Sequence, residues 1–249
     1  FGLSDAGCVR RDNQDRLLMD HALNLFLVAD GMGGHRHGEM AAELAISTIQ
    51  FYVESSQDRL DVSWPFGYSF DLSLEANRLT TAIRLANRHV WHQSEAEPRY
   101  AGMGTTVAGV LIGENEAVTC NVGDSRVYLY RGGELTQLST DDTWITAVVA
   151  RGEAAQFDLA NHPMRNVLTQ AAGSQENIDI HVVERPLESG DTYALTSDGL
   201  HGVIGDEAIR SILGSESTLE RCVERLIDAA RVRGAPDNVS VLLLRYNRE

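Results

Sequence analysis

Cysteine is scarce in this sequence: Cys8, Cys120 and Cys222 are the only three in 249 residues, odd in number and irregularly spaced. A disulfide framework needs pairs, so these thiols point to a reducing, cytoplasmic setting. Long apolar runs are missing too. Spanning a bilayer takes roughly 20 consecutive apolar residues, no stretch approaches that, and no signal peptide is visible. Positive charge is the third shortage. Lys and Arg number 21 against 36 Asp and Glu, giving a net charge of −15 and a pI near 4.9. Such a chain repels a phosphate backbone, which argues against nucleic acid as a partner, and its sign suits a site that collects cations. No Pro/Gly/Ser-rich linker divides the sequence, so one domain is expected over residues 1–249, and 43% hydrophobic residues suffice for a sizeable core. The chain opens on Phe1 rather than Met, as a piece trimmed from a longer protein would.

Several catalytic signatures are also absent. There is no HExxH pair and no spaced cysteine pair, which leaves zinc without its usual ligands. Ser125 lacks a G-x-S-x-G frame, so a serine hydrolase finds no support. The MGG stretch is not a nucleotide fingerprint. Cys120 and Arg126 do satisfy the C-x5-R spacing of thiol phosphatases, but that chemistry needs a helix N-terminus after the loop to acidify the thiol. Here the segment runs into VYLY, a strand, and Cys120 reads as a small core hydrophobe.

What the sequence does have is five aspartates at the edges of apolar, strand-like runs: Asp15 in RRDNQD, Asp30 in VADGMGGH, Asp124 in VGDSRVY, Asp198 in LTSDGL and Asp237 in PDNVSV. Singly, each could be turn chemistry. If strand ends bring them together, unpaired carboxylates repel and their burial goes uncompensated. Hard divalent cations remove that repulsion, and an all-oxygen ligand set points to Mg2+ or Mn2+.

Apolar patterning predicts strands over Leu17–Met19, Leu25–Ala29, Thr105–Ile112, Ala117–Asn121, Val127–Tyr130, Ile178–Val183, Thr192–Thr196 and Val239–Leu244. Helical patterns cover Gly38–Ser55, Ser73–Glu95, Asp206–Leu213 and Ser217–Val232; in the longest, Leu79, Ala82, Ile83, Ala86 and Val90 form one stripe. Short strands joined by turns such as Arg131-Gly132-Gly133-Glu134 read as antiparallel. The fold class expected is α+β, an α/β/β/α sandwich of two antiparallel sheets flanked by helix pairs.

Seven segments carry a family resemblance in order along the chain: GCVRRDNQD, VADGMGGHRHGEMAA, GMGTTVAG, NVGDSRVYLYRGGELTQLSTDD, HPMRNVLTQAAG, GDTYALTSDGLHGVI and GAPDNVSVLLL. Together they resemble the metal-dependent serine/threonine phosphatases of the protein phosphatase 2C type, in particular their bacterial branch. The resemblance implies the same sandwich, with residues from about 142 to 165 as a mobile flap. It implies two tightly bound Mn2+ or Mg2+ ions, bridged by Asp30, with the Gly31 carbonyl on one and Asp198 and Asp237 on the other. Asp124 with Asp198 would hold a third, weaker ion. Arg10 would bind the phosphoryl group; Asp15 would hold a metal-bound water, and Gln14 stands where many relatives have Glu. Met32 occupies the place of a His proposed as general acid in eukaryotic relatives, leaving His35 as the substitute, and Asp142 stands where relatives usually have His. Arg126 reads as a structural ion pair. The implied activity is hydrolysis of phosphoserine and phosphothreonine in proteins by a metal-activated water, opposing a serine/threonine kinase. The alternative is a catalytically weak pseudophosphatase that binds phosphoproteins or a regulatory partner.

Overall fold

The central strands of this chain are apolar on both faces, and their two faces serve different cores. In the computed structural model, which describes residues 1–33, 37–57, 62–159 and 162–248, strand β3 (Leu25–Met32) turns Leu25, Leu27 and Ala29 toward a helical layer, and Phe26 and Val28 toward a second sheet. A strand buried on both sides shows a continuous apolar run instead of alternation, which is why VADG is preceded by LFL.

The order along the chain is β1 (Gly2–Asp5), β2 (Asp15–Asp20), β3, α1 (His37–Ser56), α2 (Leu74–Ala96), β4 (Gly104–Thr105), β5 (Val107–Ile112), β6 (Glu116–Val122), β7 (Arg126–Arg131), β8 (Glu134–Gln137), α3 (Trp144–Ala150), β9 (His181–Pro186), β10 (Thr192–Thr196), α4 (Asp198–Ile204), α5 (Asp206–Ser215), α6 (Leu219–Val232) and β11 (Val239–Arg245). One antiparallel sheet runs β1-β11-β10-β7-β8; the other runs β2-β3-β5-β6-β9, with β4 paired to β3. Helices α1 and α2 cover the second sheet. Helices α4, α5 and α6 cover the first. Between the sheets lies a third apolar layer that includes Phe26, Val28, Tyr193, Leu195 and Leu242. The expected α/β/β/α sandwich is therefore present.

Helix starts follow capping chemistry. Ser73 accepts the Ala76 amide at 3.2 Å and Thr218 accepts that of Arg221 at 3.3 Å. The Ser197 side chain does not cap α4; it is committed to the site described below.

The elements differ from expectation in several places, among them the stretch Thr105–Ile112, which is divided between β4 and β5. The strand expected at Ile178–Val183 lies at 181–186, because Ile178 is drawn into the helix-covered core and pairing with β6 starts only at His181. Strands β1 and β8 carry polar residues and sit at sheet edges, so their sequences lack a clear apolar signal. Helix α4 holds two glycines in DGLHGVI, poor helix formers that tertiary contact overrides.

Candidate active site

Parity along the strands carries the acids to one place. Asp30 shares the face of Phe26 and Val28, so it emerges at the open end of the layer between the sheets. Asp15 is its direct cross-strand partner. From the opposite sheet, Asp198 opens α4 directly after β10, and Asp237 precedes β11. Asp124 sits in the turn between β6 and β7. A cavity of about 440 Å³ gathers Arg10, Gln14, Asp30, Gly31, Met32, Thr106, Asp124, Asp198, Asp237 and Asn238 in its lining, with Asn166 and Leu168 on one side. A neighbouring cavity of about 560 Å³ shares Asp124, Asp198, Asp237 and Asn166 and continues under Thr143, Ile145 and Leu159.

Each side chain is held by identifiable bonds. The Asp30 amide donates to Thr106 Oγ1 at 3.0 Å, and its carbonyl accepts from Thr105 Oγ1 at 2.9 Å. Thr106 in turn shares a buried 2.6 Å hydrogen bond with Ser125. Asp15 is 2% exposed, and its Oδ2 accepts from Ser197 Oγ at 2.9 Å and Ser240 Oγ at 2.6 Å, a clamp that reaches across to the other sheet. Asn238 gathers the loop that carries Arg10: its amide donates to the carbonyls of Ala6 and Asp12, and its Oδ1 accepts the Gln14 amide at 2.9 Å. Arg10 makes a 2.7 Å ion pair with Asp237, which raises its pKa further above the usual range.

Gly31 is required by crowding. A Cβ there would lie 2.0 Å from the Gly38 carbonyl oxygen and 2.7 Å from that of Gln14, so three main chains meet where no side chain fits. Gly199 is packed the same way, 1.9 Å from the Asn238 carbonyl oxygen.

The electrostatics show a site short of positive charge. Burial, then the charges of Asp15, Asp198, Asp124 and Asp237, push the Asp30 carboxyl well above the carboxylate range. Asp15 rises to about 6 and Asp124 to about 7, in both cases chiefly through burial, with Asp198 adding repulsion. Asp198 is raised by burial and by Asp237. Asp15 Oδ1 and Asp198 Oδ1 are buried without a hydrogen-bond partner. Among the described residues no three His, Cys, Asp or Glu side chains stand close enough together to hold a metal ion between them. An all-oxygen set spread around a roomy cavity, with orphaned carboxylate oxygens, fits hard divalent cations that keep several waters.

Asp142 supplies much of the GDS turn's bonding: Gly123 donates to Asp142 Oδ2 at 2.8 Å, and its carbonyl accepts from the Asp142 amide and from Asn121, while the Asp124 carboxyl takes only a local backbone bond. Cys120 is buried in β6, and burial pushes its thiol far up, the reverse of an activated nucleophile. Arg126 binds Asp141 through both oxygens, at 2.7 to 3.1 Å.

The sequence pattern of the family described as Protein phosphatase 2C matches residues 8–242. The chain belongs to this family. It is 32% identical over 249 residues to a putative protein phosphatase 2C-type of Streptococcus pyogenes, covering 99% of this chain and 96% of that one. It is 36% identical over 240 residues to the serine/threonine protein phosphatase PstP of Mycobacterium tuberculosis, of whose length it spans 43%. The crystal structure of PstP superposes with a TM-score of 0.84 at 33% identity, covering 100% of this chain and 98% of that one. The PstP catalytic domain in complex with two manganese ions superposes at 0.81 and 32% identity, covering 100% and 97%.

Within the family frame, Arg10, Gln14, Asp30, Gly31, Asp124, Asp198 and Asp237 line one cavity, and Asp15 is buried beside them. His35 lies outside the described residues. Asn238, Thr106, Ser197 and Ser240 went unnoticed in the sequence. The only signal for Asn238 was its place in PDNVSV, and the serines gave none.

Proposed function

We propose that this chain hydrolyses phosphoserine and phosphothreonine in proteins with two Mn2+ or Mg2+ ions, opposing a serine/threonine kinase in the cytoplasm. The observation that carries the reading is the convergence of Asp30, Asp124, Asp198 and Asp237, from four separate segments, on one cavity that also exposes Arg10. Asp30, the Gly31 carbonyl, Asp198 and Asp237 would hold the pair of ions, and Asp124 with Asp198 a looser third. When bound, such ions neutralise phosphoryl charge and activate the attacking water.

The chain's own groups do the rest. The Arg10 guanidinium, charged at any working pH, presents a fork to the phosphoryl oxygens and exchanges Asp237 for substrate. Asp15, clamped by Ser197 and Ser240, holds a hydrogen-bonding position behind Asp30, and Gln14 supplies a neutral donor and acceptor beside it. Met32 has no proton to give to the leaving alkoxide, which leaves that task to His35. On this reading the segment 142–165 serves as the flap; its Thr143, Ile145, Leu159 and Arg165 line the neighbouring cavity, which offers room to the polypeptide around the phosphorylated residue. The test is a comparison of a phosphothreonine peptide and an aryl phosphate with Mn2+, Mg2+ or chelator. Turnover with either metal and none in chelator is expected; turnover that survives chelation would overturn the reading.

A further inference from the structure

All 21 basic side chains of this chain are arginines, and many are matched to acids: Arg16 to Glu39 and Glu43, Arg131 to Asp191, Arg231 to Asp5. Arg84 and Arg88 are different. One turn apart on α2, they form no ion pair among the described residues, and their guanidinium carbons lie 6.0 and 4.5 Å from the centre of a single ring, that of Phe66. Like charges at this spacing repel, so the arrangement costs stability unless an anion joins them.

The pocket they share, about 470 Å³, is built rather than incidental. Its two walls are tied to α2 by buried asparagines. Asn77 accepts the Ser69 amide at 2.8 Å and donates to the Ser69, Leu72 and Ser73 carbonyls, fixing the loop that carries Phe66. Asn87 donates to the Gln175 and Glu176 carbonyls and accepts the Gly173 amide at 2.7 Å, fixing the opposite wall. Glu176 is at the rim and exposed, beyond ion-pair distance of either arginine. A chain with 6% aromatic residues places Trp64, Phe66, Tyr68 and Phe70 in one loop. Trp64, Tyr68 and Phe70 stack edge to face, and Phe70 is 94% exposed. An adjoining cavity of about 300 Å³ shares Phe66 and Arg84 and continues over Leu72, Ile180 and Val182. The two arginines thus share a pocket with Phe66 and Ile178, and apolar surface continues past Arg84 for the residues that flank an anionic side chain.

We propose that this pocket docks a phosphorylated serine or threonine of a protein substrate without hydrolysing it, and so selects multiply phosphorylated chains. The proposal rests on the phosphoprotein reading above. A phosphoryl group carries about −1.5 to −2 charges at pH 7 and three strong acceptor oxygens, enough to neutralise two forks, whereas a carboxylate neutralises one. Among the described residues none that lines this pocket belongs to the acid-lined cavity, and Glu176 is the one carboxylate of its lining, so the pocket lacks the acid cluster on which hydrolysis rests.

The test separates docking from chemistry. A fluorescein-labelled phosphothreonine peptide is titrated by anisotropy in chelator against protein carrying Arg10→Ala, which removes phosphate binding at the acid cavity. Adding Arg84→Gln and Arg88→Gln should weaken binding about tenfold, and the double Lys variant should recover part of it. In otherwise unaltered protein with Mn2+, Arg84→Gln/Arg88→Gln should raise KM for a doubly phosphorylated peptide about tenfold, leaving its kcat and the aryl phosphate rate unchanged. Unaltered affinity in chelator overturns the proposal. So does an equal loss for the peptide with Glu in place of phosphothreonine, which marks an acidic-peptide surface, or a fall in aryl phosphate turnover, which marks a structural effect. If the unaltered protein hydrolyses neither substrate, the functional reading fails while the anisotropy still decides the docking site.

Discussion

The acid-lined cavity has a floor and a wall of different construction. The floor is made of strand ends whose positions are set by sheet register and closed by side-chain bonds: Thr105 and Thr106 on Asp30, Ser197 and Ser240 on Asp15, Asn238 on the Arg10 loop. The wall is the excursion after Asp142, which leaves and returns at one bridge, Thr143 to Leu168, and is held inside by a Trp144–His162 stack at 4.0 Å with Phe157 edge-on. Acids that must repel one another need a rigid frame to stay together. A surface that meets polypeptide needs only a shape. Changes in the floor should therefore alter chemistry, and changes in the wall should alter substrate preference.

The largest effect that could break this comparison is expected at Asp30. Asp30→Asn should lower kcat on phosphopeptide about a thousandfold or more at saturating Mn2+, with the circular dichroism spectrum unchanged. An equal loss from Trp144→Ala would erase the distinction between floor and wall.

Asp124 sharpens it through pH. Its carboxyl is raised to about 7 from 3.8, mainly by burial. The folded chain therefore holds a proton that the unfolded chain releases, and in chelator this group lowers stability increasingly as pH rises from about 4 to about 7. Asp124→Asn should stabilise the protein by about 1–3 kcal/mol in chelator at pH 8 and by little at pH 4, measured by thermal melts. Turnover with Mn2+ should fall about tenfold or more while the two tight metals remain bound by calorimetry. An unchanged rate across a metal titration would remove Asp124 from the site.

Smaller effects follow at the supports. Asn238→Ala frees the Arg10 loop and should cost about 2 kcal/mol of stability, raising KM for phosphopeptide more than it lowers kcat. Trp144→Ala should be mildest, changing kcat/KM for phosphopeptide about threefold through lost wall contacts and leaving the aryl phosphate rate within error. A larger change with aryl phosphate would show the wall taking part in the chemistry.

The sequence by itself determined much of the floor. Apolar runs located the strand that carries Asp30 and the strands whose ends lie beside Asp124, Asp198 and Asp237, and the ordered motifs named the acids. These signals are local: strand runs, turn residues and residue types are written within a few positions of one another. What joins the sheets was not written there. Ser240 donates to Asp15 across 225 residues, and Asn238 binds Gln14 across 224. Helix α4 forms against its glycines' propensity because Gly199 fits against the Asn238 backbone. Nor could the sequence show that Asp142 accepts the Gly123 amide of the GDS turn on one oxygen and meets His181 on the other, each at 2.8 Å. Those contacts depend on which strand lies beside which. Register and sheet packing are global outcomes of burying three apolar layers at once, so only the tertiary structure could decide them.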